Sequence, residues 1–182
     1  YLLFIIFISF FIGSSGENND QSSDQTKSSI SKQSGNNLSD IIGSETKNGN
    51  FRDVSVFKFK KEAGANDNSS SFVSNASLLK IKRENVNDLL NKRDKNISFR
   101  IPLSGSSSME LHLTQSFPVS DDFILTSKNG TKDKVSNYTP GLHYKGIISG
   151  KENSIASISV FKDFVMGVIS DESGNYVLGS IK

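Results

Sequence analysis

From residue 97 onward, apolar and polar positions alternate with a period of two. Ile97, Phe99, Ile101 and Leu103 fall on one side of the chain, and Ser98 and Arg100 on the other. Met109, Leu111 and Leu113 alternate in the same way with Glu110, His112 and Thr114. This period marks half-buried β-strands. Pro102 lacks an amide donor, so the first of these strands ends there or lies near an edge. Further strands are predicted over 123–126, 142–148, 155–160, 164–169 and 176–181. Turn residues fill 150–154 and 171–175, and a polar loop is expected around Asn129 and Gly130. Upstream, Phe51, Val54, Val56, Phe57 and Phe59 have high strand propensity but imperfect alternation. That predicts a bulge, or an edge strand with its lysines outward. Residues 61–71 read as a loop. Val86, Leu89 and Leu90 sit at helical spacing and predict one short helix over 83–93. Short strands with frequent turns predict an all-β fold, mainly antiparallel and sandwich- or barrel-like, with that one helix.

The pattern divides the chain into three parts. Residues 2–12 are almost uniformly apolar, and Gly13, Ser14, Ser15 and Gly16 follow. A membrane span needs about 20 apolar residues, so this run is short for one. It matches the hydrophobic region of a secretory signal with small residues at the cleavage point. Without an initiator Met or a basic start, residues 1–16 are expected to be an N-terminally truncated signal peptide. The competing reading is a short signal anchor, and nothing extends the apolar run in its favour. Residues 17–50 are rich in Ser, Asn, Asp, Gln, Lys and Gly, with only Ile30, Leu38, Ile41 and Ile42 as large apolar side chains. So few cannot offset the entropy of ordering the segment, which reads as a disordered spacer. Ile41 and Ile42 are candidates for local docking. Residues 51–182 are expected to form the folded β domain.

Composition narrows the chemistry. The chain of 182 residues carries 21 Lys and Arg against 19 Asp and Glu, a net charge of +2. That balance points to no nucleic-acid partner, and to membrane contact only through the signal segment. Absence of cysteine removes disulfides, thiolate metal sites and a cysteine nucleophile. With two histidines, His112 and His143, the chain cannot build a three-histidine metal site by itself. No H-E-x-x-H, G-x-S-x-G or P-loop occurs. His112, with Glu110 and Thr114 beside it, reads as part of a solvated strand face, and His143 as a sheet-surface histidine. Asp121 and Asp122 read as a turn. Lys82-Arg83 and Lys92-Arg93 read as a charged helix surface, with protease processing as the alternative. Among the N-x-S/T sequons, Asn68, Asn75 and Asn129 are the candidate N-glycosylation sites, because loops are expected there. The residues alone therefore describe a secreted, cysteine-free β domain without a self-contained active site.

The order of motifs from residue 97 resembles a known family: the prodomains of secreted zinc metalloproteases of the reprolysin class, the ADAM and ADAM-TS precursors. An extended segment over 97–103 and a strand over 109–113 come first. Asp121 and Asp122 then precede an apolar strand. The most specific stretch is His143, Tyr144, Gly146 and Gly150, similar to the family's H-Y-x-G-x-V-x-G. Asn153, Ser154 and Ser159 follow in the manner of its N-S-x-x-x-x-S segment. Residues 164–169, with Gly167, resemble its L-R-G-x-I turn into a strand, and 176–181 stand where it has Y-x-I-x-P-L. Leu142 and Phe161 occupy positions where many animal members carry cysteines. If those cysteines form a bridge, apolar residues here replace both partners and are positioned to fill the gap by packing. Met166 or Val165 stands in place of the family's Arg.

The resemblance implies a secreted, extracellular propeptide that assists folding of a downstream zinc metalloendopeptidase domain and keeps it latent. Its partners would be that domain and a processing protease. Zinc would belong to the downstream domain, and this chain would need no cofactor and hold no catalytic residue. Leu142, His143, Tyr144, Gly146, Gly150, Phe161 and Gly167 would then be structural hallmarks. The alternative is a free-standing secreted β-sandwich used for binding or adhesion.

Overall fold

A computed structural model describes residues 2–8, 38–62, 76–120, 123–129, 132–136 and 140–181. In chain order the elements are β1 (Leu2–Ile8), α1 (Leu38–Lys47), β2 (Arg52–Val54), β3 (Phe57–Glu62), β4 (Ala76–Ile81) and α2 (Arg83–Lys92). Then come β5 (Asn96–Pro102), β6 (Ser108–Ser116), β7 (Leu125–Asn129), β8 (Lys132–Ser136), β9 (Leu142–Ile148), β10 (Lys151–Val160), β11 (Val165–Asp171) and β12 (Gly174–Ile181). The fold is mainly β, as the period-two pattern predicts.

Seven strands run in the order β2-β5-β6-β9-β10-β11-β12, and β1, β4 and β3 extend the same sheet beyond β12. All neighbours are antiparallel except β2 and β5, which pair in parallel. The two margins, β2 and β3, are joined through only Ser55 and Val56. The sheet must therefore curl until its margins nearly meet. Phe57 on β3 packs edge-on against Phe99 on β5, with ring centroids 5.8 Å apart. The Lys82 amide donates to the Val56 carbonyl at 2.8 Å. No ladder joins β2 to β3, so the curled sheet stays open rather than closing into a barrel.

Register puts alternate rows of cross-strand partners on the concave face. Ile97, Leu113 and Gly146 form one such row with Ala156 and Ile169. Phe99, Leu111 and Ile148 form the next. These side chains, with Leu142, Tyr144, Ile158, Val160 and Val165, make the core. Val86 and Leu89 of α2 join it from the sheet's margin side, as their helical spacing predicts. Arg52 binds β2 to this helix, at 3.0 Å from Asp88 and 2.6 Å from Asp94.

Several expectations change in detail. β3 is both an edge strand and bulged, with the register shifting between Phe59 and Lys61. Residues 61–71 lie mostly outside the described residues, though Lys61 and Glu62 extend β3. Residues 151–154 belong to β10, so the β9–β10 turn is only Ser149 and Gly150. The polar segment near Asn129 is a two-stranded ribbon, β7 and β8, with Asn129 in register with Lys132. A second helix, α1, forms inside the stretch read as spacer. Ile42 is buried beneath it, while Ile41 stays exposed. The amphipathic face needs β6 and β9 to lie on, and no local pattern of the segment announces them.

Candidate functional site

The convex face of the sheet carries the candidate site, and of the hallmark residues His143 and Phe161 lie on that side. α1 lies across β6 and β9 and covers that part of the face. Beneath it, His112 is largely buried, with its ring 5.0 Å from that of Phe51. Its Nε2 is 3.4 Å from Glu110 and its Nδ1 is 3.5 Å from the Thr46 hydroxyl. The expected solvated strand face is thus a packed helix–sheet contact. Glu110 is held below the usual carboxylate range by the Ser98 hydroxyl and then by the Arg100 guanidinium. The helix is tied further by Glu45, which accepts from Asn96 Nδ2 at 3.0 Å. Asn96 is one of the sequons, and its glycan-accepting nitrogen is buried in this contact.

Beyond α1 no described element lies across the convex face. Ile155, Met166 and Val168 point outward and are 59%, 49% and 51% exposed. Val168 sits opposite Ser157, Met166 opposite Ser159 and Ile155 opposite Ser170. Small serines thus alternate with the large apolar side chains along this strip. At one end of the strip Phe161 stacks on Phe164, with centroids 4.4 Å apart. The Phe161 amide donates to the Phe164 carbonyl at 2.9 Å, which closes the β10–β11 turn.

The hallmark residues do different things. Leu142 is fully buried in the core and pairs with Val160. Phe161 instead packs edge-on against His143, with centroids 5.7 Å apart on the convex side, and covers Gly141. Leu142 and Phe161 therefore serve opposite faces rather than filling one shared gap. Tyr144 is buried, and its hydroxyl donates to the Asp94 carbonyl at 3.0 Å. Burial, and then the Asp94 carboxylate, push its pKa up to about 12. Gly146 lies where a Cβ would strike the backbone carbonyl of His112. Gly167 is similarly close, with Ser157 O and Ile158 Cδ1 each 2.5 Å from a Cβ position. Gly150 has φ +77° and makes the β9–β10 turn. Asn129 ends β7, while Asn68, Asn75, Asp121 and Asp122 lie outside the described residues. Lys82, Arg83, Lys92 and Arg93 are exposed at the two ends of α2.

Ser154, the serine of the N-S-x-x-x-x-S segment next to Asn153, has a defined task. Its Oγ accepts from the Ile148 amide at 2.8 Å and donates to the Lys151 carbonyl at 2.6 Å. It spans the place where the β9–β10 register shifts, between Lys151 and Ala156. We expect Ser154→Ala to cost about 1–3 kcal/mol, because it leaves a buried amide without an acceptor. Urea unfolding of the variant checks this, and an unchanged midpoint would show that water replaces the hydroxyl.

His143 sets a pH dependence. Burial lowers its pKa, and its Nδ1 is 2.9 Å from Ser159 Oγ. The folded state thus favours the neutral ring more than the unfolded chain does. This contribution is complete above about pH 6.5 and declines as pH falls below it toward the folded-state value. The urea midpoint should fall between pH 7.5 and pH 5.5, and the fall should be smaller in His143→Gln. Glu110 and Asp171 act at lower pH: each is held below the ordinary carboxylate range, so its contribution is present above its unfolded pKa of about 4 and is lost as pH falls from there toward the folded value. For Asp171, burial alone acts upward, and the bond from Lys151 at 2.5 Å together with the Ser173 amide outweighs it.

Among the described residues no three His, Asp or Glu side chains converge as a metal-binding group. No described helix is long and apolar enough to cross a membrane. No family model matches the chain, and no curated protein or solved structure does so either.

Proposed function

We propose that residues 51–182 are the propeptide of a secreted zinc metalloendopeptidase precursor. In this role the domain assists folding of a catalytic domain encoded after it and covers that domain's substrate cleft until processing. The reading rests on the order of motifs along the chain. The structural observation that carries it is the apolar strip of Ile155, Met166 and Val168. It lies in the stretch that bears the resemblance and offers exposed apolar area to a protein partner. Because the two domains would share one polypeptide, the effective concentration is about millimolar, and a modest interface is enough for latency. The zinc and the chemistry would reside in the catalytic domain, and this chain acts by binding.

The test is to add purified residues 17–182 to the separately expressed catalytic domain. Inhibition is expected. Met166→Lys combined with Val168→Lys should weaken it by about 30-fold or more, since central apolar contacts each carry about 2 kcal/mol. The same double variant should unfold at an unchanged urea concentration, because both side chains are already half exposed. Absence of both inhibition and folding assistance from a chain that is itself folded would end this reading. A free-standing binding or adhesion module is the second reading, and the stacked Phe161–Phe164 pair beside the strip favours it. A transcript with a stop codon soon after Lys182 would select that module.

A further inference from the structure

β1 occupies a slot between two strands that are otherwise complete. β12 is paired on its other side with β11, and β4 on its other side with β3. β1 runs antiparallel to both, with Leu2 opposite Ile181 and Ile8 opposite Asn175 on β12. On β4 the register runs from Leu2 opposite Lys80 to Ile6 opposite Ala76. Yet residues 2–8 fall within the segment that reads as a removable leader. Its removal would leave two unpaired edges facing one another across about 9.5 Å, the width of one missing strand. The far wall also has contacts to the fold that bypass β1. β3 and β4 are held to the rest of the fold by the Phe57–Phe99 contact, by the Lys82 amide on Val56, and by the Ser77 hydroxyl on the Leu103 carbonyl. Long exposed edges of this kind template aggregation unless something covers them.

The polarity of the slot identifies what fits it. A strand that follows β12 through a tight turn must run antiparallel to β12 and begin opposite its last residues. β1 has this direction and starts opposite Ile181. Strands adjacent in sequence are also the usual neighbours in a sheet. We propose that the slot between β12 and β4 is a strand-acceptor groove. β1 fills it in the unprocessed chain. After removal of residues 1–16, the polypeptide that follows Lys182 in the precursor fills it as the hairpin partner of β12. The proposal rests on the propeptide reading, in which further polypeptide follows.

The experiment compares residues 17–182 with the same chain extended by the next 30 or so residues of the precursor, the usual span of a turn and one or two strands. Hydrogen exchange is read on β4 and β12, with β9 and β10 as internal reference. In the shorter chain β4 and β12 amides should exchange at least about 100-fold faster than the reference, and the extension should restore their protection. A cysteine placed in the extension opposite Gly179→Cys should then form a cross-strand disulfide, in a chain with no other cysteine. If the shorter chain does not fold and the extended one does, the slot is filled by the extension, as proposed. Protection already present in the shorter chain, or an extension that changes nothing, overturns the proposal. So does failure of both chains to fold while residues 1–182 fold, which would make β1 indispensable. Inhibition of the protease is a separate readout, so the propeptide reading can stand while the slot proposal falls.

Discussion

Gly146→Ala is expected to destabilise the domain by about 3 kcal/mol or more, at the upper end of the range for overpacking a core. Gly146 sits in the middle of β9, with Leu113 opposite on β6 and Ala156 opposite on β10. The atom in the way of a Cβ is the main-chain oxygen of His112, with the Leu113 Cα also close. A flexible side chain could swing aside, but a ladder carbonyl cannot move without parting β6 from β9. Urea unfolding followed by far-ultraviolet circular dichroism measures the effect. Gly179→Ala is the control. A Cβ there meets nothing within 4 Å, so this variant should be neutral within about 0.5 kcal/mol. A Gly146→Ala midpoint as close to wild type as that of the control would contradict the close approach of β6 and β9.

Phe99→Ala should cost about 3–5 kcal/mol, the usual loss for a fully buried phenylalanine. Phe99 is wholly inaccessible and lies at the join between the sheet's margins. Its edge-on contact with Phe57 draws β3 toward β5. Loss of the ring removes buried apolar area and the contact that holds the curl. Phe57→Ala is expected to be nearly as costly, and the double variant should be less than additive by about 0.5–1.5 kcal/mol, the coupling typical of aromatic pairs. Strict additivity would mean that the two rings do not support one another. In Phe99→Ala the β3–β4 amides should also lose exchange protection before those of β9 and β10. The apolar strip should be spared, since Met166 and Val168 sit on strands remote from this join in the sheet order.

The amphipathic periods of the chain sufficed for the main-sheet strands from Ile97 to Ile181 and for α2, because each pattern is complete within a few residues, but not for the polar ribbon of β7 and β8. Pro102 marked the end of β5 because a missing donor is a local fact. The lysine-rich segment at 57–62 was legible as an edge strand for a similar reason. Other features depend on what comes alongside. α1 is mostly polar, and its order derives from Ile42 and Glu45 meeting distant strands. His112 appeared solvated because the helix that covers it lies 66 residues earlier in the chain. Gly146 and Gly150 have the same local meaning, a turn or a close approach. Only the pairing of β9 with β6 made Gly146 the close approach, and a backbone at φ +77° made Gly150 the turn.

The candidate surface follows the same division. Residues 155–169 have large apolar side chains on both faces, so a period of two cannot say which face is covered. Strand register turned Ala156, Ile158 and Val160 toward the core and Ile155, Met166 and Val168 outward, and α1 lies mainly on the neighbouring β6 and β9. The sequence by itself thus determined the β class, most strands of the main sheet from β5 onward and the glycines, which are properties of short stretches, whereas β1, β4 and β8 became strands only through their partners. The curl of the open sheet, the uncovered strip and the slot held by β1 were decided by tertiary structure, because burial and pairing are relations between residues far apart in the chain.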